Sequence, residues 1–371
     1  MLLHGIFPPI TTPFYPDGRV YLKKLEHNVE RYSKTPVAGI VVLGSTGEAV
    51  MLSDEERAEV LKAARESCSP SKVLIAGTGT ESAIETLRTT EYAAALGYDL
   101  ALVRTPFFYR KQMQPANILA FYRMVADRSP IPILIYSVPP FTQYDIPAEL
   151  VAELAAHPNI IGIKESSGDV EKVRRMVEST RHIKRTATVT TTFAAVTPRM
   201  LKSDSQPTNG SGGLVSVAAL AGESSSQSEA ERGASRPSSS SSSVSIADVP
   251  SGLKTRQKDV GFQVLVGAAQ KLYPSLEAGA IGGILAFACP APTACYEIYA
   301  AWKEGDNNLA STKQERINIA AARVVAELGI SATKYAMDLN GYYGGPSRLP
   351  LLPLTAAGKT EVEGLMADIR N

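Results

Sequence analysis

Short apolar runs recur along the chain, each closed by a Gly/Ser/Thr/Pro turn and followed by a stretch with helical periodicity. Residues 5–10 (GIFPPI) open the series, with a helical pattern at 22–33. Apolar runs at 39–43, 73–76, 100–103, 131–136 and 160–164 follow, each continuous enough for a strand buried on both faces. Between them the helical patterns fall at 53–67, 82–96, 115–127 and 147–156, and another lies at 169–180. Ser53 and Glu56 stand at capping-box spacing before the second of these helices. A seventh strand is expected at 262–266, a helix at 269–278 and an eighth strand at 282–287. Eight strands alternating with helices predict an α/β fold, a closed (β/α)8 TIM barrel.

This rhythm places the barrel in residues 1–292 and a C-terminal helical extension in residues 293–371. It is broken once, between the sixth helix and the seventh strand. Residues 184–259 carry the runs Ser224-Ser225-Ser226 and 238–243, all serine, with few aromatic side chains. Such composition predicts a low-complexity, disordered insertion. Two apolar islands, 191–196 and 214–221, are candidates for a short ordered element. A helix-to-strand connection lies at the barrel face opposite the strand ends, so the insertion is expected to stay away from a catalytic pocket.

Charge and cysteine content narrow the function. The 38 basic and 37 acidic residues leave a net charge of +1, which gives no reason to expect nucleic acid or an anionic membrane as partner. Cys68, Cys289 and Cys295 are too scattered for a disulfide framework or a zinc site. There is no membrane-spanning apolar run, and the first residues lack a basic leader, so a cytoplasmic location is expected.

In a barrel the residues just after each strand face one shared pocket. Lys164 ends the sixth apolar run, IIGIK, with its stem in apolar surroundings and its amine at the strand end. One lysine so placed reads as well as a side chain snorkelling to solvent. Its neighbours favour a Schiff-base role, in which the free amine attacks a carbonyl. Gly44-Ser45-Thr46-Gly47-Glu48, after the second strand, offers amide and hydroxyl donors to an anion such as a carboxylate. Tyr136 ends the fifth strand, where its hydroxyl can move protons for a lysine on the next strand. Ser166 follows the lysine, Gly267 leaves room near the backbone after the seventh strand, and the Gly282-Gly283-Ile284 segment exposes main-chain carbonyls. Lysine amine, tyrosine hydroxyl and anion nest together suit a class I aldolase acting on a 2-oxo acid, with no metal and no separate cofactor. His4, His27, His157 and His182 fall away from these loops.

These residues resemble the dihydrodipicolinate synthase / N-acetylneuraminate lyase family of pyruvate-dependent class I aldolases. The resemblance rests on GSTGE at 44–48, IYSVP at 135–139, GIKES at 162–166 and GAIGGI at 279–284. It implies that Lys164 forms the Schiff base with pyruvate, that Tyr136 relays protons, and that Ser45 with Thr46 binds the pyruvate carboxylate. It also places the carbonyl of Ile284 against the pocket, and implies a homo-oligomer, commonly a tetramer. Two positions depart from the synthases. Phe108 stands where they carry a second tyrosine, with Tyr109 beside it, and Phe141 stands where they carry an arginine for the aldehyde's carboxylate. Ser166 and the tail GYYGGPSRLPL at 341–351 are similar to the 4-hydroxy-2-oxoglutarate aldolase branch. The expected function is therefore a 4-hydroxy-2-oxoglutarate-type aldolase acting on small 2-oxo acids and aldehydes. The alternatives are 4-hydroxy-tetrahydrodipicolinate synthase and, from another class, a non-catalytic 2-oxo-acid-binding protein.

Overall fold

The computed structural model describes residues 1–190, 193–203 and 255–369. Eight parallel strands form one sheet: β2 (Gly5–Phe7), β3 (Gly39–Val42), β4 (Val73–Gly77), β5 (Leu100–Arg104), β6 (Ile133–Ser137), β7 (Ile160–Glu165), β11 (Gln263–Val266) and β12 (Gly282–Ile284). The end strands of the sheet, β2 and β3, are joined by bonds from Ala38 N–H to Ile6 O (2.9 Å), Val41 N–H to Pro8 O (3.0 Å) and Ile10 N–H to Val41 O (2.9 Å), which close it into a barrel. Alternation of side chains divides the core. Phe7, Ile75, Leu102, Leu134 and Leu265 fill the interior, while Val103, Ile133, Ile135 and Ile163 pack outward under the helices.

The helices begin where local chemistry starts them. Helix α2 (Asp54–Ser67) has a complete Ser53/Glu56 capping box. Helix α3 (Ala83–Leu96) is capped by Ser82 and helix α7 (Val170–Ser179) by Asp169, each accepting from an amide three residues on. Helices α1 (Leu22–Ser33), α4 (Pro115–Arg128), α6 (Ala148–Ala155), the short α9 (Leu272–Glu277) and α10 (Pro292–Lys303), which packs against β2, complete the outer layer, and the single turn α5 (Pro139–Thr142) follows β6. The helical extension expected from 293 therefore gives its first helix to the barrel, and α11 (Asn307–Ala321), α12 (Gly329–Leu339) and α13 (Ala356–Met366) follow. None of the described helices is long and apolar enough to cross a membrane.

Two expectations need correction. The eighth strand stops at Ile284, and the rest of its apolar run turns into a 3-10 segment, Ala286–Ala288. The insertion, expected to be disordered over 184–259 apart from a candidate element in each apolar island, has ordered ends, and one ordered piece, Ala195–Val196, falls in the first island. Strand β8 (Thr186–Thr190) pairs antiparallel with β10 (Thr255–Asp259). Strand β9 (Ala195–Val196) pairs with β1 (Leu2–Leu3), and the short helix α8 (Pro198–Ser203) follows it. Leu3, Ala195 and Met200 join the barrel's interior cluster, so these segments cover the base of the barrel with apolar side chains. Arg199 fastens them: its guanidinium bonds both oxygens of buried Asp99 (3.1 and 2.7 Å) and the carbonyl of Pro70 (3.1 Å). The second apolar island, 214–221, lies outside the described residues.

Half-buried His4 sits in this base, where desolvation and the charges of Lys258 and Lys303 push its pKa down to about 4 from 6.5. The unfolded chain takes up that proton first, so folding stability is full above about pH 6.5 and declines as pH falls toward 4. His4→Gln is expected to flatten this part of the pH dependence of Tm, measured by thermal melts from pH 7 to pH 4.

Candidate active site

Strand registry brings the central side chains together. Tyr136 on β6 and Lys164 on β7 are direct Cα partners, and neighbours in registry share a face. A bulge makes this possible. Ile133 pairs with Ile160 but Leu134 pairs with Gly162, leaving Ile161 as an extra residue. Ile161 and Lys164, three apart, can therefore both face the interior, which a regular strand forbids. Lys164 is 4% exposed and its Nζ lies 4.1 Å from the centre of the Tyr136 ring. Among the described residues the Lys164 amine has no carboxylate partner. The Tyr136 hydroxyl, in turn, is 3.3 Å from Ser45 Oγ.

Ser45 and buried Thr46 sit on the tight turn after β3. Leu43 and Glu48 bracket this turn with positive φ (61° and 53°), a conformation that costs non-glycine residues energy and persists only when held. The holding comes from the C-terminal extension. Glu48 Oε1 is 2.5 Å from Lys334 Nζ, and its Oε2 accepts the Arg348 amide at 2.9 Å. Lys334 also donates to the carbonyls of Thr12 (2.9 Å) and Pro346 (2.8 Å). Burial pushes the Lys334 pKa down, with Glu48 opposing. Arg348 forks onto Glu56 at 2.8 and 2.7 Å, and both cations lie against the Phe14 ring. The GYYGGPSRLP segment thus braces the Ser45–Thr46 turn from behind. Glu48, read from sequence as part of an anion nest, serves that brace.

The remaining candidates divide. Ser166 and Gly267 are in contact: a Cβ on Gly267 would lie 1.9 Å from Ser166 Oγ, so only glycine leaves that hydroxyl its place. Among the described residues the buried Ser166 Oγ has no hydrogen-bond partner. Ile284 is fully buried, paired with Phe7 in registry. Phe108, Tyr109 and Phe141 are not drawn into the cluster, being 70%, 64% and 64% exposed. A cavity of about 510 Å³ opens beside Tyr136 and Ser45, lined also by Thr78, Glu81, Arg104 and Phe107. Sequence reasoning missed those four. Arg104 ends its strand as Lys164 nearly does, which was the available signal. Among the described residues no cluster of His, Cys, Asp and Glu could hold a metal ion.

Comparison with known proteins bears on the fold and the family. Among solved structures, dihydrodipicolinate synthase from Bacillus anthracis superposes with a TM-score of 0.74 at 20% identity, covering 100% of both chains. The chloride-inhibited synthase from Acinetobacter baumannii, complexed with pyruvate, gives 0.74 at 24% identity over 99% of each. At those identities they establish the fold. The curated 4-hydroxy-tetrahydrodipicolinate synthase of Methanoculleus marisnigri is 40% identical over 182 residues, 48% of this chain and 62% of that protein. That of Xanthomonas axonopodis pv. citri is 41% identical over 177 residues, 48% and 58%. The chain thus spans about three fifths of the length of the curated relatives it matches. The sequence model of the dihydrodipicolinate synthetase family matches residues 2–202 and 245–369, and it is to this family that the chain belongs.

Proposed function

We propose that the chain is a Schiff-base lyase that makes or breaks a carbon–carbon bond next to pyruvate. The observation that carries this reading is the row Lys164–Tyr136–Ser45, its first two members buried, with the amine 4.1 Å from the centre of the phenol ring and the phenol 3.3 Å from the serine. Lys164 Nζ attacks the 2-oxo carbon, water leaves, and the iminium draws electrons from C3, so a bond there forms or breaks. Tyr136 carries the protons, with Ser45 beside its hydroxyl. Ser45 and Thr46 hold the carboxylate with their hydroxyls and the amides of their turn. The Ile284 carbonyl lines the pocket, and the unpartnered Ser166 hydroxyl, given room by Gly267, is a donor for the substrate. The assembly proposed is a homo-oligomer, for which exposed Phe108, Tyr109 and Phe141 supply apolar surface.

The test is borohydride reduction with pyruvate, read by mass spectrometry. The lyase reading requires a pyruvate adduct on Lys164, and its absence would leave a non-catalytic binding protein. Of the two lyase reactions, the relatives' names support 4-hydroxy-tetrahydrodipicolinate synthase over the 4-hydroxy-2-oxoglutarate cleavage placed first on sequence. The cleavage reading keeps one support: apolar Phe108 and Phe141 stand where the family resemblance puts a tyrosine and an arginine. Condensation of pyruvate with aspartate semialdehyde, measured against pyruvate release from 4-hydroxy-2-oxoglutarate, separates them. In whichever reaction proceeds, Tyr136→Phe is expected to lower kcat about a hundredfold, as loss of a general acid–base group does.

A further inference from the structure

We infer that Arg104 reads a second carboxylate on the substrate, placing specificity for a diacid on strand β5 and not on the loop after β6. This rests on the Schiff-base reading of Lys164. Arg104 is the Cα partner of Tyr136, and Tyr136 is the partner of Lys164. The three side chains thus occupy one row across adjacent strands, with two strand spacings, roughly 10 Å, between the Cα atoms of its ends. Arg104 lines the same cavity as Tyr136 and Ser45, with its side chain only 16% exposed.

The guanidinium is oriented without being used up. Its Nη1 bonds Glu81 Oε1 at 2.7 Å and the Thr105 carbonyl at 3.3 Å. One face lies against the Phe107 ring, 4.8 Å from its centre. Glu81 is itself committed: its Oε2 accepts the amides of Phe107 (2.7 Å) and Phe108 (3.0 Å), so one carboxylate fixes both the arginine and the following loop. Nε and Nη2 of Arg104 have no hydrogen-bond partner among the described residues. An arginine held on one side and stacked on one face presents a free N–H edge to a planar anion, a task for which its geometry suits it better than lysine. Phe141 leaves the loop after β6 without a cation at the place where the sequence resemblance expects one.

The test compares two 2-oxo acids of equal carbon count, 2-oxoglutarate and 2-oxopentanoate, as imines trapped on Lys164 by borohydride in the full-length protein. The wild type is expected to trap the diacid at about ten- to a hundredfold lower concentration than the monoacid, the gain of a charge-assisted pair. Arg104→Met should erase this preference and Arg104→Lys should keep part of it, with the pyruvate adduct undiminished in both. A wild type that traps pyruvate but shows no diacid preference overturns the inference alone. So does a preference that survives in Arg104→Met, or a variant pair that loses the pyruvate adduct together with the diacid. Failure of the wild type to trap pyruvate overturns the lyase reading itself.

Discussion

Lys164→Ala should abolish pyruvate-dependent turnover, lowering kcat by about four orders of magnitude or more, while thermal melts show a folded protein. No neighbour can take over as nucleophile in the row. Tyr136 and Ser45 offer hydroxyls, and the other buried amines among the described residues are committed: Lys334 to Glu48 and two carbonyls behind the turn, Lys172 to Glu165 and Asp145. Covalent catalysis divides one difficult bond change into two easier ones, and without the amine neither begins. Truncation removes no ion pair, because Lys164 faces a ring and not a carboxylate. Turnover retained above a few per cent in the purified variant would move the chemistry elsewhere.

Lys334→Met should cost about 3–5 kcal/mol of folding stability, the range seen when one member of a buried ion pair is removed. Both side chains are essentially inaccessible, at 0% and 1% exposure, so the stranded Glu48 carboxylate cannot be rescued by water. Urea unfolding of Lys334→Met, Glu48→Gln and the double variant checks this. The double variant should be less damaged than the sum of the singles, because the second change removes the charge that the first left unpaired. The loss should also raise KM for pyruvate, since the same contact holds the Ser45–Thr46 turn in its strained form.

Much of the barrel could be read from the chain because parallel strands buried on both faces are continuous apolar runs, as in IIGI and ILIY, and because caps such as Ser53 and Asp169 mark helix starts. The apolar run at 282–287 overstates the eighth strand for the same reason. Apolarity reports burial, and buried Phe287 continues the run after the backbone has left the sheet. The pairing at the ends of the insertion is not local: Thr186–Thr190, TATVT, has the β-branched content of a strand, but its partner Thr255–Asp259 lies beyond the serine runs. At the site, Lys164, Tyr136 and Ser45 were legible as residues at strand ends. The bulge that lets Lys164 face inward was not, since it depends on pairing with β6. Nor was the Glu48–Lys334 pair, whose members are brought together by the packing of the tail and not by any local pattern.

Closure of the ring has a consequence for how the chain is made. Gly5–Phe7 hydrogen-bonds to Gly282–Ile284, so the opening strand waits on the ribosome for its eighth-strand neighbour. At cellular elongation speeds that wait is roughly half a minute. Throughout it the nascent half-barrel presents an unsatisfied strand margin, a template for unwanted pairing with other chains. Chaperone dependence during translation is the natural outcome.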